Sequence, residues 1–322
     1  MNERMFIAGR FHLLAVTRPR RKRVANGVVV SVLLVMATLG SLPAEAQELE
    51  PRAYRPLPVG IGFVVLSYAY STGNVVADAT APIQDLELDA HAPALGYLRT
   101  FGLFGRSASL SLGMAYYFMA GSAVVGGDLV SDARSGAGDL RTRIAVNLIG
   151  GPALSPPEFA QRPPGRSLGV GLVVTAPTGQ YNNTRVINFG TNRWAFKPEV
   201  VYSSVRGPWI FDFALGVWFF TANTDFLGQT RTQKPIASFQ AHLSYNFPNR
   251  MWLALDANYY RGGQSSIDGV DNVDLQKNSR LGVTFSMPLG ARHSLKLAAH
   301  TGAYTSLGSD FDVFQVAYQY RW

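Results

Sequence analysis

Beyond residue 46 the chain contains no run of 18 apolar residues, yet it alternates large apolar with small or polar side chains over stretches of nine or more residues. A period of two is the signature of a strand whose two faces meet different media. The last twelve residues, FDVFQVAYQYRW, put Phe314, Val316, Tyr318, Tyr320 and Trp322 on one face and Val313, Gln315, Ala317, Gln319 and Arg321 on the other. Such lengths exceed the ~5–6 residues usual in a soluble sheet and match the ~9–11 that cross a bilayer at a tilt. With no apolar helix to span it, a membrane can be crossed here only by a closed barrel, in which every backbone N–H and C=O pairs between strands.

The N-terminus supplies an independent reason to expect export. Arg20-Arg21-Lys22-Arg23 precedes an apolar run from Val28 to Leu39 and then Ala44-Glu45-Ala46, the order of a secretory signal, and too short for a membrane helix of ~20 residues. Residues 1–46 are therefore expected to be cleaved as a signal peptide, leaving a mature chain, 47–322, that starts at Gln47. Those 46 residues hold seven of the 29 basic and two of the 21 acidic residues, so the mature charge falls from +8 to +3. Nothing then points to a nucleic-acid partner. The chain has no Cys, which excludes disulfides and thiolate metal sites. With 32 Gly, 14 Tyr, 19 Phe and a mean hydropathy of +0.06, the composition suits strands that average one oily and one polar face.

Twelve alternating segments follow a proline-containing, polar periplasmic lead-in at 47–58: 60–72, 91–100, 108–118, 139–148, 167–177, 194–203, 209–219, 239–247, 253–259, 278–287, 294–301 and 311–322. In the first, Phe63, Val64, Val65 and Leu66 are consecutive and leave its faces undecided. The connections 101–106, 150–166, 205–208, 248–250 and 288–292 read as turns. Those at 73–90, 120–137, 178–192, 221–233, 262–275 and 305–310 read as longer loops. Short periplasmic turns, longer external loops and an even strand number define the expectation: a twelve-stranded antiparallel transmembrane β-barrel of outer-membrane type. The proline-rich 150–166 connection is long for a turn.

One face of these segments collects charge of both signs: Asp139, Arg141, Arg143, Lys197, Glu199, Asp212, Asp256, Arg280, Lys296 and Arg321, with His242 and His300. Arg or Lys facing lipid near mid-bilayer costs about 2–4 kcal/mol, so this face must line the lumen. The set can act as a selectivity ladder along a solute path, or as a cross-strand ion-pair network that stiffens and seals a narrow barrel. The short turn at 248–250 sets Asp256 across from His242, with Ser244 on the same face. A Ser/His/Asp set invites a lipid-hydrolase reading, which an inward-facing position disfavours. His242 and His300 lack carboxylates at ligand spacing, and Asp268, Asp271 and Asp274 lack the spacing of a calcium loop, so neither a metal nor any other cofactor is expected.

Two resemblances add to this reading. The C-terminal segment resembles the closing strand of bacterial outer-membrane barrels, in which a terminal aromatic is the assembly signal; here that signal comprises Tyr318, Tyr320 and Trp322. The stretches NLIGGPALSPPEF (147–159), NFGTNRWAFKPEV (188–200), GVWFFTANTDF (216–226), QAHLSYNF (240–247), WLALDANYYRGG (252–263), LQKNSRLGVTFSMPLG (275–290) and HSLKLAAHTGAYTSLGSDFD (293–312) resemble the outer-membrane transporter family of the meta-pathway of phenol degradation (MetA-pathway family). That resemblance implies a barrel in contact with outer-membrane lipid, assembled by the barrel machinery through its last strand and passing small hydrophobic or aromatic solutes, with no catalytic residues. A lipid hydrolase and a closed structural barrel stand as the alternatives.

Overall fold

The structure is a computed structural model that describes residues 50–322 apart from 54, 75–82, 126–127, 186–187 and 306–309. The expected cleavage point after Ala46 lies outside the described residues. In chain order the strands are β1 (Gly62–Asn74), β2 (Ile83–Leu103), β3 (Arg106–Val125), β4 (Asp128–Ala137), β5 (Leu140–Ile149), β6 (Arg166–Ala176), β7 (Ala195–Arg206), β8 (Trp209–Phe220), β9 (Asn223–Phe226), β10 (Gln229–Gln233), β11 (Ile236–Asn246), β12 (Trp252–Gly262), β13 (Ser265–Ile267), β14 (Val270–Asp271), β15 (Gln276–Pro288), β16 (His293–Thr305), β17 (Asp310–Phe311) and β18 (Val313–Arg321). No helix among the described residues is long and apolar enough to cross a membrane.

Each wall strand pairs antiparallel with the next, and β18 returns to β1, which also pairs β2. β4 and β5 are the upper and lower halves of one wall strand on β3. Likewise β17 and β18 are two pieces of one strand on β1. The wall is therefore a closed twelve-stranded barrel, as the alternation predicts. Around the closed ring no strand is left at an edge, while β4, above it, pairs only with β3.

Outward positions are apolar and exposed on every side of the wall, with Leu95 at 57% and Leu215 at 59%. A belt of that extent requires lipid against it. β1 resolves its undecided faces: Leu66 and Tyr68 are exposed and outward, and Ser71 is buried and inward. Trp209, Tyr245 and Phe247 meet edge-on at the periplasmic end, with ring centroids 4.8 and 5.1 Å apart. The connection from β2 to β3 is tighter than expected, a two-residue turn in which Phe104 (φ 48°) and Gly105 (φ 74°) both have positive φ, as a primed hairpin turn requires.

Five further connections differ from expectation. The 73–90 and 120–137 stretches are largely strand, because β2 and β3 run to 21 and 20 residues and rise past the membrane as a tall wall. Above the bilayer no lipid enforces alternation, so this Gly-, Ser- and Asp-rich sequence reads as loop. The 221–233 and 262–275 connections hold β9, β10, β13 and β14, which pair into a separate four-stranded sheet. The long periplasmic connection carries a short helix, Pro156–Gln161. Its capping Ser155 donates to Glu158 at 2.6 Å, and that bond holds the Glu158 carboxyl below its ordinary pKa.

Candidate functional site

The lumen is filled in three tiers. At the periplasmic end residues 50–53 and 55–60, the described part of the lead-in expected at 47–58 and the two residues after it, lie across the inside of the barrel. Lys296 Nζ donates to Glu50 Oε1 at 3.0 Å. Arg52 Nη2 donates to Asn246 Oδ1 at 2.8 Å, and its guanidinium lies 4.3 Å from the Trp252 ring centre. Ala53 packs on inward Val201 and Ala214, and its carbonyl accepts from Arg143 Nη1 at 3.0 Å. The segment then descends, with Ser107 Oγ donating to Leu57 O and Val59 N donating to Leu154 O.

The middle tier is a lateral row. Ser203, Asp212, His242, Asp256, Gly282 and His300 are successive cross-strand partners through β7, β8, β11, β12, β15 and β16. The pairing of His242 with Asp256 predicted from the short turn is present: Nδ1 and Oδ1 are 2.7 Å apart, both side chains fully buried. Thr284 Oγ1 donates to the other Asp256 oxygen at 2.7 Å. Asp212 is different, because it is 0% exposed and neither carboxylate oxygen has a hydrogen bond of ordinary geometry. Its cross-strand partner Ser203, the Arg55 charge of the inserted segment, His242 and Arg52 act on it favourably, in that order. Ser244 Oγ is buried without a hydrogen bond, so the serine–histidine contact that a hydrolase needs is not assembled.

Beside this row, Glu199 is gripped from two directions, by Arg143 Nε at 2.7 Å and Lys197 Nζ at 3.0 Å. Two wall glycines make the room. A Cβ at Gly171 would come within 3.0 Å of the Glu199 carboxylate, and one at Gly216 within 3.0 Å of Lys197 Cγ.

The upper tier is aromatic. Trp218 packs with Val173, Ala195, Ile236 and Tyr260, with Phe220 against them. Lys197 and Arg141 lie 5.3 and 5.6 Å from the Trp218 ring centre, and Arg193 lies 4.5 Å from that of Phe220. Above it, the 178–192 loop turns inward, stacking Phe189 on Tyr117 with centroids 6.4 Å apart.

Two members of the expected ladder do not belong to it. Asp139 lies between β4 and β5 and accepts from Gly179 N, Thr191 N and Thr191 Oγ1 at 2.7, 2.8 and 2.7 Å, fastening the inward loop. Arg321 is exposed at the periplasmic rim and donates to Ala291 O at 3.0 Å. Arg280 does face inward, but its guanidinium lies 3.7 Å from the Phe311 ring centre and donates to Phe311 O. The loop aspartates are dispersed among protein partners: Asp268 accepts from Thr230 N, Asp271 pairs with Lys234, and Asp274 binds Ser265. No group of three metal-ligating side chains occurs among the described residues. Arg52, Ala53 and Thr284 were missed by pattern reading. Trp218 carried a signal, an aromatic on the otherwise small and polar face of its strand.

Fold and lumen together define a transmembrane β-barrel of the outer-membrane channel class, with its own chain inside it. The chain belongs to the family described as "Putative MetA-pathway of phenol degradation", whose model matches residues 68–322. Among solved structures it is similar to the COG4313 outer membrane channel from Pseudomonas putida F1, at 24% identity over 85% of this chain and 100% of that one, with a TM-score of 0.69; that likeness shows the fold. The translocator domain of the autotransporter NalP from Neisseria meningitidis (10% identity, 81% of this chain, 88% of that one, TM-score 0.48) and the CymD monoaromatic hydrocarbon channel (6%, 83%, 89%, 0.42) are too distant to bear on function. No curated protein matches the chain by sequence.

Proposed function

We propose that this barrel is an outer-membrane channel for small, uncharged hydrophobic or aromatic compounds, obstructed at rest by its own Glu50–Gly60 segment. The carrying observation is the aromatic tier, Trp218, Phe220 and Tyr260, with the lumenal charges around it held on protein partners. Arg143 and Lys197 are spent on Glu199, Lys296 on Glu50 and His242 on Asp256, while Arg141 and Arg193 face aromatic rings. These engagements hold the cations against the wall but leave a positive surplus, so the preference for apolar solutes rests on Trp218, Phe220 and Tyr260, which offer π-faces to an apolar ring. Family membership in phenol degradation accords with this solute class. On this reading Arg141, Arg143, Lys197, Glu199, Asp212, His242, Asp256, Arg280, Lys296 and His300 shape the solute path and do not act as an open ladder, and Ser244 has no catalytic task.

The same filling would suit a closed structural barrel, so the test must measure flux. Cells with an intact outer membrane should take up a radiolabelled phenol faster with this protein than without it, and an aromatic carboxylate of similar size no faster. No difference for either solute, in wild type and in a variant lacking Glu50–Leu57, would leave the structural reading.

Export by cleavage after Ala46 and insertion by the barrel-assembly machinery through Tyr318, Tyr320 and Trp322 complete the proposal. Tyr318 and Trp322 are exposed on the lipid side, and Trp322 exchanges two backbone hydrogen bonds with Gly62, each 3.1 Å. Removing Trp322 should lower the amount of folded barrel in the outer membrane while export continues. Normal assembly would remove the C-terminal signal from the account.

A further inference from the structure

On the outer surface, Arg261 of β12 and Lys277 of β15 are cross-strand partners. Both are exposed and outward, in the same alternation as Tyr259 and Leu281. Like charges set directly opposite one another repel. Neither side chain has an ion pair or hydrogen bond among the described residues, and the carboxylates of the adjoining connection are engaged with Lys234, Ser265 and Thr230.

Their height locates them. On β11 the outward positions run from the girdle residue Phe247 up to Ala237, which is the cross-strand partner of Arg261. Ten residues of a strand tilted ~40° rise roughly 25 Å, the height of the apolar band of such barrels. The two cations therefore sit at the upper boundary of the band, where the polar heads of the outer leaflet lie. Immediately below are Tyr259 and its cross-strand partner Ser279, then Leu281, 52% exposed; Tyr304, exposed, stands beside them across from Ser279.

We propose that Arg261 and Lys277 clamp a phosphate monoester on the headgroup of an outer-leaflet glycolipid, whose first acyl chain lies on Leu281 and Tyr259. The dianion relieves the repulsion of the pair, and the apolar side chains below give the lipid an advantage over a free anion. The inference is independent of what passes through the lumen.

The test is native mass spectrometry on the detergent-solubilised mature barrel, with bisphosphorylated lipid A, its dephosphorylated form and inorganic phosphate as probes. Wild type should retain the bisphosphorylated lipid about ten- to thirty-fold more than the dephosphorylated one. Arg261→Gln with Lys277→Gln should abolish that preference, and Lys277→Arg, which keeps the charge, should preserve it. Folding of each variant is checked by its mobility difference between boiled and unboiled samples. Equal retention by the double variant, or no preference for phosphate in wild type, would overturn the site. Complete displacement of the lipid by millimolar inorganic phosphate would assign the clamp to a free anion and overturn the lipid reading.

Discussion

Two buried carboxylates facing the same lumen are treated in opposite ways. Glu199 receives two cations from the wall itself, Arg143 on β5 and Lys197 on β7, at 2.7 and 3.0 Å. Asp212, a short distance round the barrel on β8, receives no hydrogen bond of ordinary geometry; Ser203 and His242 of the wall act on it favourably, but its arginine counter-charges, Arg55 and Arg52, arrive on the inserted segment. The first cluster is complete whenever the wall is closed; the second is complete only while the segment is in place. A buried charge is costly without compensation, so the wall carries a standing demand for the segment that Glu199 does not make.

The largest effect should come from taking the segment away. A barrel lacking Glu50–Leu57 should still fold around its Glu199 cluster, and its single-channel conductance should rise severalfold over wild type in planar bilayers. Unchanged conductance would mean that the segment is not what obstructs the lumen.

Next in size is Glu199→Gln, which strands two buried cations and should cost about 3–5 kcal/mol of barrel stability in urea unfolding. In the barrel lacking Glu50–Leu57, Asp212→Asn should move the other way, because it removes a buried charge left without its arginine counter-charges, a gain of about 1–3 kcal/mol. In the full-length barrel the same substitution distinguishes the clusters: with nothing to attract Arg52 and Arg55, the segment should hold less firmly and open events should become more frequent. If both substitutions destabilise equally, the contrast drawn between the two sites fails.

The smallest effect is expected from Glu50→Gln. Its partner Lys296 lies 3.0 Å away, but the Glu50 side chain is half exposed, and pairs of that kind contribute ~0–1 kcal/mol. A loss beyond that range would show that the chain end is held by more than the wall's demand at Asp212.

Much of the wall was legible because lipid on one side and lumen on the other impose a strict alternation on each strand. Leu253, Leu255 and Tyr259 against Asp256 can fold one way only, and the short turn before them fixed His242 opposite Asp256. The filling of the lumen was not legible in that way. The stretch 47–58 reads as a polar, proline-containing lead-in, and the residues that hold its described part are far along the chain, from Ser107, Arg143 and Leu154 to Asn246, Trp252 and Lys296. Asp139 misled because it continues the alternation of β5 by one residue while its side chain serves the loop at 179–191. Trp218 was visible as an anomaly, but only the structure supplies the cations around it.

The seam between β1 and β18 bears on how quickly such a barrel can form. Gly62 exchanges two backbone hydrogen bonds with Trp322, and a Cβ on Gly62 would collide with the indole ring. Every other neighbouring pair in the wall is a local hairpin or is joined by a modest loop, whereas this pair spans nearly the whole described chain. Contacts of such separation carry the largest loop-closure entropy and form last. Until they do, a twelve-strand sheet exists with two raw edges, the state in which sheets pair with the wrong neighbour. The glycine that lets the indole lie flat over the seam thus sits at the slowest point of assembly, and a larger residue there should trap open sheets before it alters the finished wall.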